Sequence, residues 1–208
     1  MSRIAILGAT GVLGDQLVGR ALELGHYVNA LARDPRKVKR QNERLTVIKG
    51  NAETGEGLDA LVERCQYVIC AIGSLLPVME KVVTQVLKQL EPMKRLQRFV
   101  LVSRLGTGES LQQATKVSGP IQSRLPVLLM PVFRDINVAE GLVRNSKLPY
   151  TIIRATRLTD DPATDNVSMV GPTDPPPHRI GRADLARFVV GMLEWTEYQR
   201  KEMTVGSR

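Results

Sequence analysis

The sequence predicts an α/β fold built on a doubly wound parallel sheet with helices on both faces. Three observations lead to this prediction. Short apolar runs suited to buried strands alternate with amphipathic helical patterns along the chain. The first apolar run, residues 4–7, leads directly into a glycine-rich turn and a helical pattern. With 208 residues, of which 43% are hydrophobic, the chain is long enough for one domain with a substantial core.

The predicted elements follow one another in a regular order. After the first strand, turn and helix, strands are expected over residues 27–32, 45–48, 67–72, 98–102 and 150–154, with a last edge strand over 203–205. Helices are expected over about 57–64, 78–94, 135–145 and 182–194. This order predicts a single Rossmann-type domain over residues 1–208. The irregular stretches 104–131 and 159–179 follow strand ends, where such sheets bind ligands, and are predicted to wall a substrate pocket.

The glycine-rich turn has the spacing G-x-x-G-x-x-G, with Gly8, Gly11 and Gly14. Gly8 suits the tight turn out of the strand, Gly11 lets the backbone approach a pyrophosphate, and Gly14 lets the helix pack closely. A pyrophosphate would bind to the free N–H groups and the positive dipole end of the helix N-terminus. Because the turn stands between a strand and a helix, it predicts a dinucleotide site. The alternative is a tight turn in another kind of α/β protein.

The end of the second predicted strand indicates which dinucleotide binds. NAD-selective sites usually carry a carboxylate there, which holds the ribose 2′-hydroxyl. This chain has Arg33, followed closely by Arg36 and Lys37. A guanidinium matches a 2′-phosphate in charge and in hydrogen-bonding geometry, so Arg33 favours NADP(H). The alternative is a solvated basic turn that opens a charged helix.

Composition argues against several other classes of function. The formal charge of +8 favours anionic partners, yet aromatic residues make up only 4% and no basic stripe contains interleaved aromatics, so no nucleic-acid partner is expected. No apolar run reaches the length of a membrane span, and no signal-peptide pattern opens the chain. Cys65 and Cys70 lack the spacing of a metal or redox pair and are predicted as core thiols. We expect a cytoplasmic monomer with no metal site and no membrane partner.

Several segments together resemble the atypical short-chain dehydrogenase/reductase superfamily. They are GATGVLG, ALARDP, Gly50-Asn51, VICAIGS, FVLVSRLG, YTIIRATRLTD and RIGRADLARFVVGML, and the resemblance covers nearly the whole chain. Within that superfamily the chain is most similar to the NmrA-like group, which includes biliverdin reductase B, the NADPH-dependent flavin reductase. The resemblance implies a Rossmann fold that binds NADP(H).

The resemblance also implies roles for individual residues. In the pyrophosphate turn, backbone N–H groups would come from Thr10, Val12 and Leu13. Arg33 matches the arginine that binds the 2′-phosphate, and Asn51 stands where the family usually has an aspartate that contacts adenine. Two further groups of residues are implied as cofactor contacts. The adenine–ribose side would be lined by Ala71, Ile72 and Gly73, and the nicotinamide side by Ser103, Arg104, Ala155 and Thr156.

Two departures from the family pattern bear on the chemistry. Many relatives have a Ser-Ser pair after the fifth strand, where this chain has Ser103 followed by Arg104. The second departure is that residues 132–140 contain neither tyrosine nor lysine, so the family's Tyr-x-x-x-Lys pair is absent. That tyrosine donates a proton to carbonyl substrates, and its absence argues against alcohol or ketone chemistry.

A flavin or a quinone needs no such donor, because hydride passes directly from nicotinamide C4 to flavin N5 when the two rings stack. We therefore expect an NADPH-dependent reductase of a small planar substrate, FMN or riboflavin, with quinones and biliverdin-type tetrapyrroles as further candidates. Arg104 would stabilise the reduced acceptor or hold a flavin phosphate; the alternative is a surface residue that begins a loop. The candidates for the substrate pocket are Met130, Pro131, Phe133 and Arg157, although core packing explains the apolar ones equally well.

A second hypothesis belongs to another class of function. NmrA-like proteins can be non-catalytic regulators that bind NADP and a protein partner, and the missing tyrosine and lysine are consistent with that role too. An isomerase or epimerase of the extended short-chain type is a third hypothesis, which the same missing pair and the short C-terminal region weaken. Oxidation of NADPH by FMN in the presence of the protein distinguishes the first hypothesis from the second.

Overall fold

A computed structural model describes residues 1–110, 129–171 and 174–207. Its strands are β1 (Arg3–Leu7), β2 (Tyr27–Ala32), β3 (Leu45–Lys49), β4 (Tyr67–Cys70), β5 (Arg98–Arg104), β6 (Tyr150–Ala155), β7 (Arg157–Thr159), β8 (Ser168–Val170), β9 (Arg179–Gly181) and β10 (Lys201–Gly206). Its α-helices are α1 (Val12–Glu23), α2 (Leu58–Val62), α3 (Met79–Leu90), α4 (Met130–Asn145) and α5 (Arg182–Gly191).

The strands of the described residues form one eight-stranded sheet in the order β3-β2-β1-β4-β5-β6-β10-β8 and a separate pair, β7 and β9. Neighbours in the large sheet are parallel, except that β10 and β8 are antiparallel. The chain moves outward from β1 to β3 and then crosses back to β4, so the topological switch point lies between β1 and β4. The carboxyl ends of β1–β6 share one edge of the sheet, which we call the carboxyl edge. The predicted fold class is confirmed.

Residues alternate between two cores, one on each face of the sheet. Leu7, Val68 and Phe99 pack in the core formed with α2, α3 and α4. Ile6 and Val100 pack in the core formed with α1 and α5. Both faces are therefore covered, which explains why the strands read as nearly continuous apolar runs.

The two cysteines are buried free thiols, as the sequence predicts. Burial raises the pKa of Cys65 to about 12 and the pKa of Cys70 to about 11, so both thiols remain protonated at neutral pH. Across the described residues, no three His, Cys, Asp or Glu side chains are grouped as metal ligands would be. In the same part of the chain, no helix is both long enough and apolar enough to cross a membrane.

Three strand predictions are wrong in detail. β4 ends at Cys70 rather than at residue 72, where its pairing with β1 stops. β5 runs two residues further than predicted, because Ser103 and Arg104 pair with Arg154 and Ala155 of β6. β10 is not an edge strand, since it lies between β6 and β8. The edge is β8, a strand of three residues inside a stretch predicted to be irregular.

The two predicted pocket loops also differ from expectation. α4 begins at Met130 rather than at residue 135, and Pro131 fits its first turn because an N–H there has no helical partner. Met130, Pro131 and Phe133 therefore lie on a helix. Residues 111–128 of the first predicted loop lie outside the described residues, as do residues 172–173 of the second. The second stretch contains the last residue of β7, all of β8 and the first residue of β9, rather than irregular structure alone.

Candidate functional site

The glycine turn between β1 and α1 is held in the conformation that the sequence predicts. Gly8 has a φ of +86°, and a Cβ atom there would lie 2.6 Å from the carbonyl oxygen of Ala71. A Cβ atom on Gly14 would collide with the carbonyl oxygen of Gly8. The two glycines thus permit a tight turn and the close approach of α1.

Gly11 has a different role from the other two glycines. Its φ of −79° and ψ of 162° are extended values that any residue adopts. A Cβ atom there would meet only the carbonyl oxygen of Gly8, at 3.2 Å. Gly11 therefore keeps space open above the turn, which is the property that a bound pyrophosphate requires.

The N-terminus of α1 is free to bind an anion. Gly11 is its N-cap, and no side chain of the described residues caps the helix. Thr10 and Val12 are exposed, whereas Leu13 packs into the core beneath the turn. The uncapped N–H groups of the first turn point out of the helix toward the carboxyl edge, where a phosphate group would accept their hydrogen bonds. This geometry fits the predicted pyrophosphate contacts of the turn.

An ion pair that the sequence analysis missed stands beside this turn. Asp15 lies in the first turn of α1, and Arg40 donates two hydrogen bonds of 2.9 Å to its two carboxylate oxygens. The guanidinium thereby compensates a negative charge in the same helical turn that would bind the predicted pyrophosphate. The partners are 25 residues apart, and no local sequence signal links them.

Arg33 follows β2 at the carboxyl edge and is exposed. In the described part of the chain it makes no hydrogen bond or ion pair. The neighbouring Arg36 is bound to both carboxylate oxygens of Asp34, at 3.0 and 3.1 Å, and this hydrogen bonding lowers the pKa of Asp34. A short 3₁₀ turn, Pro35–Lys37, follows instead of a charged helix, and a solvated basic loop remains the alternative to a phosphate site at Arg33.

Asn51 lies just beyond β3, two strands away from β1 in the sheet. Its side-chain oxygen accepts a hydrogen bond of 3.0 Å from the backbone N–H of Glu53. The backbone N–H of Asn51 donates to the carbonyl of Glu56. The side-chain amide group makes no further hydrogen bond within the described residues. It can therefore donate a hydrogen bond to a ligand, which the aspartate that the family usually has here cannot do.

The segment after β4 lies against the glycine turn. Ala71 donates its backbone N–H to the carbonyl of Leu7 at 3.0 Å, and its own carbonyl packs on Gly8. A Cβ atom on Gly73 would have no atom within 4 Å, so the backbone there borders open space. Ile72, between them, is half-buried. The structure thus brings the predicted adenine–ribose residues next to the predicted pyrophosphate turn.

The predicted nicotinamide residues lie at the carboxyl ends of β5 and β6. Arg104 pairs with Ala155 across these strands, and its guanidinium carbon lies 5.3 Å from the centroid of the Phe133 ring. Arg104 and Phe133 were predicted separately, and the structure brings them into contact. Arg157, the first residue of β7, is exposed and makes no ion pair among the described residues. Met130 is exposed on the first turn of α4.

Thr156, which is predicted to face the carboxamide, directly follows β6. It is buried, and its hydroxyl oxygen has no hydrogen-bond partner among the residues that the structure describes. A Cβ atom on Gly206 would lie 2.8 Å from that oxygen, so the hydroxyl faces the end of β10 and Pro177. The contact between Thr156 and a carboxamide therefore remains a prediction.

A buried charged cluster behind Ser103 is the second feature that sequence analysis missed. Ser103 donates its hydroxyl hydrogen to Glu140 of α4 at 2.5 Å. Glu140 and Arg154 form an ion pair of 2.7 Å in which both side chains are nearly inaccessible to solvent. Arg154 also pairs with Glu202 of β10. The available sequence signal for this cluster was the presence of single charged residues, Glu140 and Arg154, next to apolar residues in α4 and β6.

The geometry of the described residues defines a class of protein: a Rossmann sheet whose carboxyl edge carries a glycine turn, a helix N-terminus without a side-chain cap and an arginine without a partner among those residues. Comparison with known proteins assigns the family. The family model described as NAD(P)H-binding matches residues 8–195, so the chain belongs to the NAD(P)H-binding family. The predicted resemblance to the atypical short-chain dehydrogenase/reductase superfamily is confirmed.

Individual relatives are distant. The probable pinoresinol-lariciresinol reductase 3 of Arabidopsis thaliana is 25% identical over 201 residues, which are 93% of this chain and 63% of that protein. The chain spans about 63% of the length of the curated relatives it matches.

Solved structures share the fold. A short-chain dehydrogenase/reductase from Veillonella parvula DSM 2008, in complex with NADP, has a TM-score of 0.78 and 22% identity, with 99% of this chain and 94% of that chain covered. ChuY, an anaerobilin reductase from Escherichia coli O157:H7, has a TM-score of 0.76 and 20% identity, with 99% and 97% covered.

Proposed function

We propose that the protein is an NADPH-dependent reductase that passes hydride to a planar acceptor. FMN or riboflavin is the first candidate, and quinones and linear tetrapyrroles follow. The observation that carries the cofactor choice is Arg33, which has no partner among the described residues and stands where an NAD-selective protein would have a carboxylate. The dinucleotide supplies the hydride when it is bound.

The neighbourhood of Arg33 supports a phosphate ligand. Arg36 is engaged by Asp34, so the acidic group of this turn is already paired with a cation. Arg33 remains available to form charge-assisted hydrogen bonds with a 2′-phosphate. The uncapped N-terminus of α1 lies one strand away and would bind the pyrophosphate of the same molecule.

The choice of acceptor rests on the side chains at the end of β5. Phe133 of α4 carries no hydroxyl, and residues 132–140 contain no tyrosine or lysine that would donate a proton to a carbonyl. Arg104 is instead held beside Phe133, where it would stabilise negative charge on a reduced ring. An acceptor that takes hydride without a protein proton donor fits these residues.

Relatives of the chain support redox chemistry in general terms. One relative is named a probable reductase, and one structural neighbour is described as an anaerobilin reductase. The latter description also favours retaining tetrapyrroles among the candidate acceptors. We propose that the protein acts in the cytoplasm and that it is a monomer.

The test is to mix the protein with NADPH and FMN and to follow the absorbance of the reduced cofactor. We expect NADPH to be oxidised with FMN, riboflavin or a small quinone, faster than with NADH, and no oxidation of secondary alcohols. Tight binding of NADPH without oxidation by any of these acceptors would favour the non-catalytic regulator instead.

A further inference from the structure

The contact between Ser103 and Glu140 determines how the serine hydroxyl can interact with a ligand. Ser103 is the next-to-last residue of β5, at the carboxyl edge, and Glu140 lies behind it on α4 with no exposed surface. We propose that Glu140 is a positioning residue that makes Ser103 a hydrogen-bond acceptor for the carboxamide N–H of a bound nicotinamide. The inference rests on the proposed function, which places the nicotinamide at the end of β5.

The first step concerns the charge of Glu140. Arg154 donates hydrogen bonds from Nε and from a terminal nitrogen to this carboxylate, at 3.2 and 2.7 Å. Burial lowers the pKa of Arg154, but its hydrogen bonds and ion pair with Glu140 raise it more, so the guanidinium stays charged. A carboxylate paired in this way has acceptors only, so every group that contacts it must donate.

The second step concerns the hydrogen of the Ser103 hydroxyl. At 2.5 Å from Oε1 of Glu140, this hydroxyl is the donor. The Thr107 hydroxyl lies 3.3 Å from that of Ser103 and is itself 2.7 Å from both Oε1 of Glu140 and the carbonyl oxygen of Arg104. Its hydrogen is therefore used for those acceptors. Ser103 is left with a lone pair and no hydrogen for a ligand.

The third step is chemical complementarity. A nicotinamide ring carries a carboxamide with a donor N–H₂ group and an acceptor carbonyl. A hydroxyl that can only accept discriminates between the two groups, so Ser103 would orient the carboxamide with its N–H₂ toward β5. Such a contact anchors the carboxamide end of the ring at β5 and so helps to position the ring for the acceptor.

The experiment compares two ligands that differ only in this N–H₂ group. They are NADP⁺ and its 3-acetylpyridine analogue, which has a methyl ketone instead of the carboxamide, and binding is measured by titration calorimetry. We expect the wild-type protein to bind NADP⁺ about two- to tenfold more tightly, as one net hydrogen bond would give. Ser103→Ala is expected to bind both ligands with the weaker affinity.

Glu140→Gln tests the positioning role directly. Arg154 requires an oxygen at its side of the residue, so the new amide N–H₂ would face Ser103 and donate to it. The serine hydrogen is then released toward the ligand, and the preference for NADP⁺ should disappear. Thermal unfolding shows whether this variant folds. If it does not, Ser103→Ala decides the proposal, because it leaves the ion pair of Glu140 intact.

Thr107→Val is the matched control. It removes a hydroxyl that donates to the same oxygen of Glu140 as Ser103 does, but Thr107 lies beyond the end of β5. It should keep the wild-type discrimination between the two ligands. A preference for NADP⁺ that persists in Ser103→Ala would overturn the inference, and so would equal binding of both ligands by the wild-type protein. In these two cases the proposed cofactor site stands. Failure of the wild-type protein to bind either ligand would overturn both proposals.

Discussion

The guanidinium of Arg104 lies over the aromatic ring of Phe133, 5.3 Å from its centroid. The contact joins the last residue of β5 to the first turns of α4. The negative face of an aromatic ring attracts a cation, so Phe133 holds an otherwise exposed side chain at the carboxyl edge. A cation with a defined position can stabilise charge that develops on an acceptor during reduction.

Replacing Arg104 by alanine should lower the maximal rate of FMN reduction by about tenfold, the effect of roughly 1.4 kcal/mol on the barrier. The KM for NADPH should change less, because the lost interaction would be made mainly in the transition state. Steady-state kinetics with NADPH and FMN measure both constants. Arg134, the exposed next neighbour of Phe133, provides the control: Arg134→Ala should retain the wild-type rate. Equal rates for the Arg104 variant and this control would make Arg104 a surface residue only.

Replacing Arg33 by alanine should weaken the binding of NADPH by roughly ten- to a hundredfold, since hydrogen bonds to charged groups contribute about 1.5–3 kcal/mol. Binding of NADH, which has no 2′-phosphate, should change little. Titration calorimetry with both cofactors checks this difference. Arg95→Ala, which removes an exposed charge just before β5, at the opposite edge of the sheet, should affect neither cofactor. Equal losses for NADPH and NADH would contradict the assignment.

Replacing Gly11 by valine should abolish cofactor binding while the protein remains folded. The backbone angles of Gly11 suit valine, and the added Cβ needs an adjustment of only a few tenths of an ångström at the carbonyl of Gly8. The side chain would instead fill the space of the pyrophosphate. Circular dichroism and an NADPH titration separate the two effects. The control is Gly141→Ala, inside α4, where a Cβ meets nothing within 4 Å. It should bind NADPH normally and gain about 0.5–1 kcal/mol of stability.

The pH dependence of stability should depend on Glu202. Burial raises its pKa, but hydrogen bonds from Arg144, at 2.6 and 2.9 Å, and from Arg154 lower it more, so the net shift is downward. A depressed pKa stabilises the folded state above the unfolded pKa of about 4.3, and this stabilisation is lost as the pH falls further. Glu202→Gln should therefore cost about 2 kcal/mol at neutral pH.

Urea unfolding of the wild-type protein and of Glu202→Gln at a series of pH values tests this expectation. The difference between the two free energies of unfolding should narrow as the pH drops below the ordinary glutamate range. Glu43, an exposed residue with a weak contact to Arg44 of 3.9 Å, supplies the control substitution Glu43→Gln. A difference between wild type and Glu202→Gln that stays constant down to acidic pH would show that Glu202 is not held ionised by its arginine partners.

Much of the fold followed from the sequence because its signals are local. Residues 4–7 are short and apolar, Gly8 supplies a positive φ, and a periodic helix follows at once, so each step of the turn is determined by adjacent residues. The position of Arg33 followed in the same way from the end of a predicted strand. The errors arose where pairing partners decide the outcome, as when β6 extends β5 through Ser103 and Arg104.

The sequence by itself determined the sheet, the glycine turn and the arginine beside it, since these depend on local backbone preferences and hydrophobic periodicity. The tertiary structure alone decided three contacts. Arg40 compensates the charge of Asp15, the Arg104 guanidinium lies over the Phe133 ring, and Glu140 accepts a hydrogen bond from Ser103. Residues 25 to 37 positions apart form these pairs. Their contacts come from the docking of helices and loops on the sheet, and no local pattern in the chain encodes the angle and register of that docking.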